Sequence, residues 1–472
     1  MQQGDHARRR RKLGVRGALI AAAAAAMVAG ALGLPAVPPA LAQTGPVSPV
    51  PVAGTPTLVN TGTTEQIRQL ADCGGTMYAV GTFTQISWNG TTYDRNNAFA
   101  FSDTAPFTVT SWNPDINGTV NTIAFSGGNC ADAYIGGQFT SAGGTAVKNI
   151  AEIDTTTGAV VPTFKDNASG QVETILAVNG HLLTGGFFKG INGSLADPYY
   201  ASLSPATGMD DGFVHLNISG HYVFYKVKNN STEVYNQQLS HSGTLDLVEG
   251  DFTSVGGQNR RQIFMIDVSG TTATLTGWSS PEFDGSSPTT YPYYNCGDSH
   301  PFYVHAASWS PDDSTIYLAD TGYKPYNWDG TFPLVGLCDA VAAFPATQQE
   351  VTHDWINYTG CNSLYSTAAD SSAVYVGGHE RWADNPDGCK HAGPGSIPAP
   401  GMGGFTPGAS GGSLLLNSAG TAGLYSRSRG RGADDMLLTS AGLWIASDNY
   451  GGNTSCGGQS GYSGLCFLPY PS

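Results

Sequence analysis

Apolar positions along the chain come in short β-branched and aromatic runs that Gly, Asn, Asp and Pro separate, and helical periodicity is hard to find after residue 42. Runs of this kind predict β-strands. One run, Tyr78-Ala-Val-Gly-Thr-Phe83, recurs along the chain. Its close copies lie at 134–139, 183–188 and 247–252, and its fainter copies lie at 316–320, 374–378 and 443–447. A recurring unit of this length indicates a repeat architecture.

The close copies share the same surroundings. A strand of the form Val-x-x-Ile precedes the copy, as at Val120–Ile123 and Val172–Ile175, and a Gly-Gly loop, an alternating strand and an aromatic-ended strand follow it. Four strands in about 50 residues are the content of one propeller blade. We therefore predict an all-β chain that forms a β-propeller of seven four-stranded blades. The units begin near Thr64, Val120, Val172, Val234, Tyr303, Leu364 and Ala433.

The last unit supplies three strands before the chain ends. We predict that Thr57–Asn60 provides the fourth, so that the N- and C-terminal strands pair and close the ring. Such pairing removes an exposed sheet edge, which would otherwise invite association with other chains.

The repeat has a recognisable form. Gly136 to Gly144 read GGQFTSAGG, and an Asn-Ile-Ala-x-x-Asp strand (149–154) and a Thr-Gly-x5-Phe segment (157–164) follow. This unit resembles the delta-sixty repeat, a β-propeller repeat family of bacterial secreted and surface proteins. The segment from Arg429 to Asp448 also resembles the closing blade of secreted actinobacterial propellers. The resemblance implies the fold, and it implies no general enzymatic activity.

The N-terminus has the composition of an export signal over residues 1–42. A basic run (Arg8 to Lys12) precedes an apolar stretch (Gly17 to Leu34) and Ala40-Leu41-Ala42. We predict a Pro-rich linker over 43–54 and a single propeller domain over 55–472. Export by the general secretory or the twin-arginine route stays open. No second apolar run is long enough to cross a bilayer, so we expect a secreted, extracellular protein with no membrane span.

The net charge of the chain limits the kinds of partner that it can bind. The full chain has a net charge of −15, and without residues 1–42 it keeps 15 Lys and Arg against 35 Asp and Glu, a net charge of −20. Such a surface repels phosphate backbones. We expect no nucleic-acid partner, a monomer in solution, and an extracellular ligand or protein as the partner.

The eight cysteines all follow the signal, and an even count in an exported chain favours disulfides. The blade register pairs Cys73 with Cys130 across neighbouring units. It also pairs Cys456 with Cys466, Cys296 with Cys338 and Cys361 with Cys389.

Candidate binding residues come from comparing equivalent positions of the repeat. The second residue of each inner strand should surround the mouth of the central channel, where propellers commonly bind ligands. These residues are Glu65, Asn121, Glu173, Tyr235, His305, Tyr365 and Asp434. Channel water could simply solvate them, or they could form a ring that binds a sugar, a divalent ion or a basic group.

A basic cluster, Arg427-Ser-Arg429-Gly-Arg431, precedes Asp434-Asp435. Arg431 either pairs with these aspartates and braces the last blade, or joins Arg429 in a pocket for an anionic ligand. Loop aromatics, namely Trp88, Tyr93, Trp328 and Trp382, either stack on carbohydrate or cover blade edges.

The spacing of histidines and carboxylates in the sequence gives little indication of a metal site. The histidines near 300 and near 379–391 fit no ligand template, so we predict no metal site and no cofactor, with calcium left open at loops such as Asp312-Asp313. Two insertions, 279–301 and 385–413, exceed ordinary connections, and we expect the second to be a flexible loop.

The pattern favours a non-catalytic secreted propeller that binds a glycan or another cell-surface component through the face with the channel mouth. A carbohydrate-active or lactone-type enzyme that uses the same face is the main alternative, and a purely structural protein is the third. We expect a binding protein rather than an enzyme.

Overall fold

A computed structural model describes residues 45–221, 231–283, 303–322, 337–359, 363–386, 391–430, 432–450 and 454–471. The described residues are almost entirely strand and loop, with one 3₁₀ turn at Pro281–Phe283. They contain no helix that is long and apolar enough to cross a membrane. The chain is therefore all-β, as predicted.

Seven antiparallel sheets account for most strands in the described part of the chain. We number them sheet 1 to sheet 7 in chain order, and the first strand of each is called its inner strand. Sheet 1 contains Gln66–Cys73, Thr76–Thr82 and Ala98–Ser102; sheet 2 contains Thr119–Ala124, Asp132–Gln138 and Ile150–Asp154; sheet 3 contains Val172–Val178, His181–Gly186 and Tyr200–Leu203; sheet 4 contains Glu233–Leu239, Leu245–Asp251, Ile263–Asp267 and Thr274–Leu275; sheet 5 contains Tyr303–Trp309, Thr315–Thr321, Ala340–Pro345 and Trp355–Tyr358; sheet 6 contains Leu364–Ala369, Val374–Gly378 and Met402–Phe405; sheet 7 contains Ala433–Thr439, Gly442–Ser447 and Leu465–Pro469.

Sheets 4 and 5 have a fourth strand, and in sheets 1, 2, 3 and 6 the fourth strand is reduced to a single bridge, such as Phe101 with Val109 in sheet 1. Short additional strands form small sheets of their own. They are Thr57–Leu58 with Gln85–Trp88 and Thr91–Asp94, and the hairpins Ser141–Ala142 with Thr145–Ala146, Ser254–Val255 with Gln258–Asn259, Trp382–Ala383 with Ile397–Pro398, and Ser455–Cys456 with Gln459–Ser460.

The inner strands lie side by side around a common centre. Each contacts the inner strand of the next sheet, and the inner strand of sheet 7 contacts that of sheet 1. Apolar clusters fill the spaces between neighbouring sheets. Between sheets 7 and 1, for example, Trp444 packs edge-on against Phe101 and Phe107. Small antiparallel sheets that stack radially in this way define a β-propeller.

The N-terminal segment forms neither the predicted strand pair with sheet 7 nor the predicted linker. Thr57–Leu58 pairs with Gln85–Trp88 rather than with sheet 7, so the predicted strand partner is wrong. Instead, the backbone N–H groups of Ser48 and Val52 donate to the carbonyls of Pro469 (2.7 Å) and Phe467 (3.0 Å) on the last strand.

Residues 47–52 therefore belong to the folded body and not to a linker. Val47 is buried, and its carbonyl accepts a hydrogen bond from the Tyr425 hydroxyl at 2.7 Å. Proline has no N–H to donate, so it is tolerated at the edge of a sheet. Pro49 and Pro51 lie at such an edge, and the residues around them make the backbone hydrogen bonds. A Pro-rich composition suggested a linker, but it fits this edge equally well.

The glycine-rich segment 385–413 is not simply a flexible loop. Met402–Phe405 forms the buried third strand of sheet 6. A Cβ at Gly404 would lie 2.6 Å from the Tyr425 ring, so this glycine allows close packing. Residues 387–390 and most of the first insertion lie outside the described residues.

The structure confirms two predicted disulfides. Cys73–Cys130 links sheets 1 and 2 with Cα atoms 5.7 Å apart, and Cys456–Cys466 has a Cα separation of 6.5 Å. Cys338 is also disulfide-bonded. Cys296, Cys361 and Cys389 lie outside the described residues, so the other two pairings stay predictions.

Candidate functional site

Each inner strand carries a register shift near its start. In sheet 2, for example, Val120 and Thr122 pair with adjacent residues of the next strand and leave Asn121 between them. The extra residue of such a β-bulge is freed from the regular ladder and can be re-aimed. We call these seven the bulge residues. They are Arg68, Asn121, Glu173, Tyr235, His305, Tyr365 and Asp434.

A glycine of the repeat lies opposite the bulge in five of the seven sheets. Gly137 pairs with Val120, and a Cβ at Gly137 would lie less than 3.0 Å from the Thr119 carbonyl oxygen. The same clash would occur at four equivalent glycines. They are Gly81, Gly186, Gly250 and Gly378. Asp320 and Ser447 occupy the position in sheets 5 and 7.

The bulge residues line one cavity of about 770 Å³ at the centre of the seven inner strands. Six of the predicted ring residues are among its walls. They are Asn121, Glu173, Tyr235, His305, Tyr365 and Asp434. This volume lies in the range of about 300–1,000 Å³ that is usual for small-molecule sites.

The seventh predicted residue, Glu65, does not line the cavity. It is buried, and its carboxylate accepts hydrogen bonds from Thr61 (2.5 and 3.0 Å), Thr63 (2.9 Å) and the Asn449 amide. Burial alone would raise the pKa of Glu65, but these hydrogen bonds outweigh it and lower the pKa. Glu65 therefore joins the start of sheet 1 to sheet 7.

Arg68 takes the ring position that the sequence comparison gave to Glu65. The signal was present in the sequence, since Ile67-Arg-Gln-Leu70 matches the Val-x-x-Ile pattern of Val120 to Ile123. The first unit therefore begins three residues later than predicted.

Arg427 and Arg429 of the basic cluster do not line the cavity. Arg429 donates from Nε to the His379 carbonyl at 2.7 Å, and Arg431 lies outside the described residues. Arg427 is buried and donates to the Ser447 hydroxyl and the Tyr462 carbonyl. Asp434 and Asp435 bond to sheet 1, because Gln66 donates to Asp434 (2.6 Å) and the Leu70 amide donates to Asp435 (2.8 Å), and their pairing with Arg431 stays a prediction.

One side of the cavity is acidic. Five carboxyl groups line it, against a single arginine among the described lining residues, Arg68. The carboxyl groups belong to Glu173, Glu233, Asp251, Asp434 and Asp435.

Burial controls how these carboxyl groups ionise. It raises the pKa of Glu173 to about 7, although the nearby Arg68 charge opposes the shift. Burial, with the charges of Glu173 and Asp251, raises the pKa of Glu233 to about 7. Burial likewise raises the pKa of Asp434 to about 7, against the hydrogen bond from Gln66 and the Arg68 charge. The acidic side therefore changes its charge close to neutral pH.

The opposite side is aromatic. The His305 ring lies 5.1 Å from Tyr365, 6.0 Å from Tyr235 and 6.4 Å from Tyr303, between ring centroids. Burial lowers the pKa of His305 to about 4, so the imidazole is neutral at pH 7. This wall offers faces and edges for stacking, together with a neutral imidazole.

Several buried polar atoms in the walls have no partner among the described residues. Asn121 is 8% exposed, and its amide nitrogen donates to Glu173 (2.9 Å) and to the Val172 carbonyl (3.1 Å), yet its Oδ1 accepts nothing. The Tyr235 hydroxyl, Asp434 Oδ2 and Arg68 Nε are also unpartnered. Buried polar groups are normally satisfied, so these atoms are suited to bind a polar ligand or water.

A second groove of about 410 Å³ shares Gln171 and Phe187 with the cavity. Phe187 is 42% exposed. The groove is lined otherwise by uncharged groups of sheets 2 and 3, including the amide side chains of Asn117 and Gln138.

The remaining candidates do not form a site together. Asp312 and Asp313 accept hydrogen bonds within and between turns, from Ser310 and Ser314 and from the Ser242 amide. No group of three His, Cys, Asp or Glu side chains in the described ranges could hold a metal ion. Calcium stays a prediction. The Trp88 indole donates to the Pro106 carbonyl, and Trp328 lies outside the described residues.

Fold and cavity together define the chain as a β-propeller with a polar channel mouth. No known protein family and no curated protein matches its sequence. Among solved structures it is similar to the WD40 β-propeller domain of Doa1, with a TM-score of 0.41 and 9% identity over 84% of this chain and 94% of that chain. A TM-score this low carries no weight, so the class rests on the sheets and strand contacts described above.

Proposed function

We propose that this protein is a secreted, seven-bladed, non-catalytic β-propeller that binds an extracellular glycan at the channel mouth. One observation carries the proposal. Seven side chains, one from the same bulge in each sheet, face one cavity of about 770 Å³, and the repeat glycine that permits the bulge is retained in five sheets. The ring order of the inner strands, with residues 48–52 beside the last strand, supports seven blades and closure between the chain ends.

A glycan suits the walls because a sugar presents hydroxyl groups around its ring and C–H groups on its faces. Amide side chains can donate to and accept from hydroxyl groups. Six of them line the cavity: Gln69, Asn121, Gln171, Asn236, Gln237 and Gln238. Asn236 and Gln237 already bond within the protein through both polar atoms, so a sugar would be contacted mainly by the others. The wall of Tyr235, His305 and Tyr365 supplies aromatic surface for the C–H faces.

Secretion is proposed from the signal-like N-terminus and the disulfides. Disulfides persist in oxidising compartments and are rare in the cytosol. Two bridges lie within the described residues, one of them between neighbouring sheets.

Glycoside hydrolysis is the second candidate, and a specific pair of side chains favours it. Glu173 and Glu233 both line the cavity. Burial raises the pKa of Glu173 to about 7, and burial together with the charges of Glu173 and Asp251 raises the pKa of Glu233 to about 7. A carboxyl group that holds its proton near neutral pH can act as a general acid beside an ionised partner.

The test is a glycan array with the wild type, Tyr365→Ala and Tyr450→Ala. Tyr365 lines the cavity, whereas Tyr450 is a 56% exposed tyrosine outside its lining. We expect Tyr365→Ala to weaken binding at least tenfold and Tyr450→Ala to leave it unchanged, at equal melting temperature.

Each outcome of the array either supports or overturns the proposed binding site. Equal binding by all three proteins, or no glycan bound by the wild type, overturns the proposed site. Bound glycans are also incubated with the protein and analysed by chromatography. Cleavage that Glu173→Gln abolishes would replace the binding function with hydrolysis.

A further inference from the structure

The charge of the cavity selects among glycans. Among the described residues, five carboxyl groups and one arginine line it, so the lining presents more acidic than basic groups to a sugar. Ionised groups away from water need a paired charge or hydrogen bonds. An ammonium group supplies both, because it carries a positive charge and three N–H donors.

A buried acceptor atom of Asn121 is an independent indication that the ligand supplies hydrogen-bond donors. Its side chain is 92% withdrawn from solvent (8% exposed) and lines the cavity beside Glu173. The amide nitrogen is fully used by Glu173 and Val172, whereas Oδ1 accepts no hydrogen bond. Asp434 Oδ2 is likewise an unpartnered acceptor in the wall. Both atoms fit a ligand that donates.

Phe187 marks where such a ligand would extend. The residue before the repeat phenylalanine is polar in the other close copies, namely Thr82, Gln138 and Asp251, but it is Phe187 in sheet 3. There it is 42% exposed and lies between the cavity and the groove of about 410 Å³. A large exposed aromatic in a polar position of the repeat suits stacking with a sugar ring.

We propose that the channel mouth binds an oligosaccharide with free amino groups, with one amino sugar in the acidic cavity and the next sugar stacked on Phe187 toward the groove. This inference rests on the proposed glycan-binding function and names its ligand class. The groove lining then contributes uncharged polar contacts to the following sugar, since its side chains are mainly amides and hydroxyls.

Paired probes test the inference by calorimetry near neutral pH in physiological salt. A glucosamine tetrasaccharide carries ammonium groups, and an N-acetylglucosamine tetrasaccharide has the same rings without the charges. We expect the glucosamine tetrasaccharide to bind at least tenfold more tightly. Asp434→Asn should remove most of that difference, whereas Asp94→Asn, at an exposed carboxylate outside the cavity lining, should preserve it.

The outcomes separate this inference from the glycan proposal. Equal binding of both tetrasaccharides overturns the inference and leaves glycan binding intact, and binding of neither, together with an empty glycan array, overturns both. Spermidine is a third probe. If it binds as tightly as the glucosamine tetrasaccharide, the cavity recognises cations in general and the sugar assignment is wrong.

A substitution of Phe187 tests the proposed stacking of a sugar ring on this residue. Phe187→Gln restores the residue of the second repeat copy, so the fold should tolerate it. We expect it to weaken the glucosamine tetrasaccharide about tenfold while glucosamine itself binds as before. Equal loss for both probes, or loss for neither, would contradict stacking on Phe187.

Discussion

At the scale of single residues, the chemistry of the mouth depends on which side chain occupies each bulge. Arg68 is the clearest case, because its charge opposes the raised pKa of both Glu173 and Asp434. It lies on sheet 1, whereas Glu173 and Asp434 lie on sheets 3 and 7, so only the folded ring of sheets brings the three charges near one another. Arg427 and Arg429 of the predicted basic cluster do not line the cavity, whereas Arg68 does.

Glu173 gives a prediction about pH. Burial raises its pKa from 4.5 to about 7, so between these values the folded protein holds a proton that the unfolded chain releases. Its contribution to stability is therefore full below about pH 4.5 and is lost as the pH rises through 7. Glu173→Gln removes this loss. We expect the variant to gain about 1–2 kcal/mol over the wild type at pH 8 relative to pH 5, after allowance for solvent in the cavity.

Denaturant unfolding at the two pH values measures this difference. Glu350→Gln is the matched control, because Glu350 is exposed and lies outside the cavity lining. A variant that follows the wild type at both pH values would mean that Glu173 titrates as an ordinary surface carboxylate. Glu233 and Asp434 should add pH dependence of the same sign to both proteins.

At the scale of elements, the inner strand and its neighbour form the unit that aims each bulge residue. In five sheets a glycine of the second strand makes room for a backbone carbonyl of the inner strand beside the bulge, whereas sheets 5 and 7 form the same bulge with Asp320 and Ser447 at this position. Strand positions and most unit boundaries could be predicted from alternation and turn residues. The bulges could not, since a one-residue shift depends on contacts between two strands.

Gly137→Ala tests this role. Its Cβ would collide with the Thr119 carbonyl oxygen, which belongs to the backbone and cannot swing aside. We expect a loss of about 1–3 kcal/mol in the free energy of unfolding, as for other overpacked sites. Thermal and denaturant unfolding measure it. Gly45→Ala, where a Cβ would meet nothing within 4 Å, should be neutral. Equal stability of both variants would show that the bulge does not need glycine.

At the scale of the whole molecule, the chain ends meet at sheet 7. The last strand, Leu465–Pro469, receives hydrogen bonds from Ser48 and Val52 along its outer edge. An uncovered edge of this kind pairs readily with other chains. Covering it therefore serves both stability and solubility.

Deleting residues 43–53 should expose this edge. We expect a lower melting temperature and concentration-dependent association, measured by calorimetry and by light scattering after size exclusion. Deleting residues 55–61 instead removes the partner of Gln85–Trp88 and should leave the edge of sheet 7 covered. If both deletions remain monomeric with unchanged melting temperature, the N-terminal segment does not protect the sheet.

The sequence by itself determined the strand content, the repeat, two of the cysteine pairs and six of the seven bulge positions, because these follow from local alternation and from a period along the chain. The tertiary structure decided the rest. Arg68 replaced Glu65, residues 47–52 replaced Thr57–Leu58 beside the last strand, and Met402–Phe405 became a strand within a glycine-rich segment. The last two of these depend on pairing between residues far apart in the chain, and such pairing leaves no period in the sequence. The charge of the cavity is likewise a property of seven sheets meeting at one centre, which no single repeat contains.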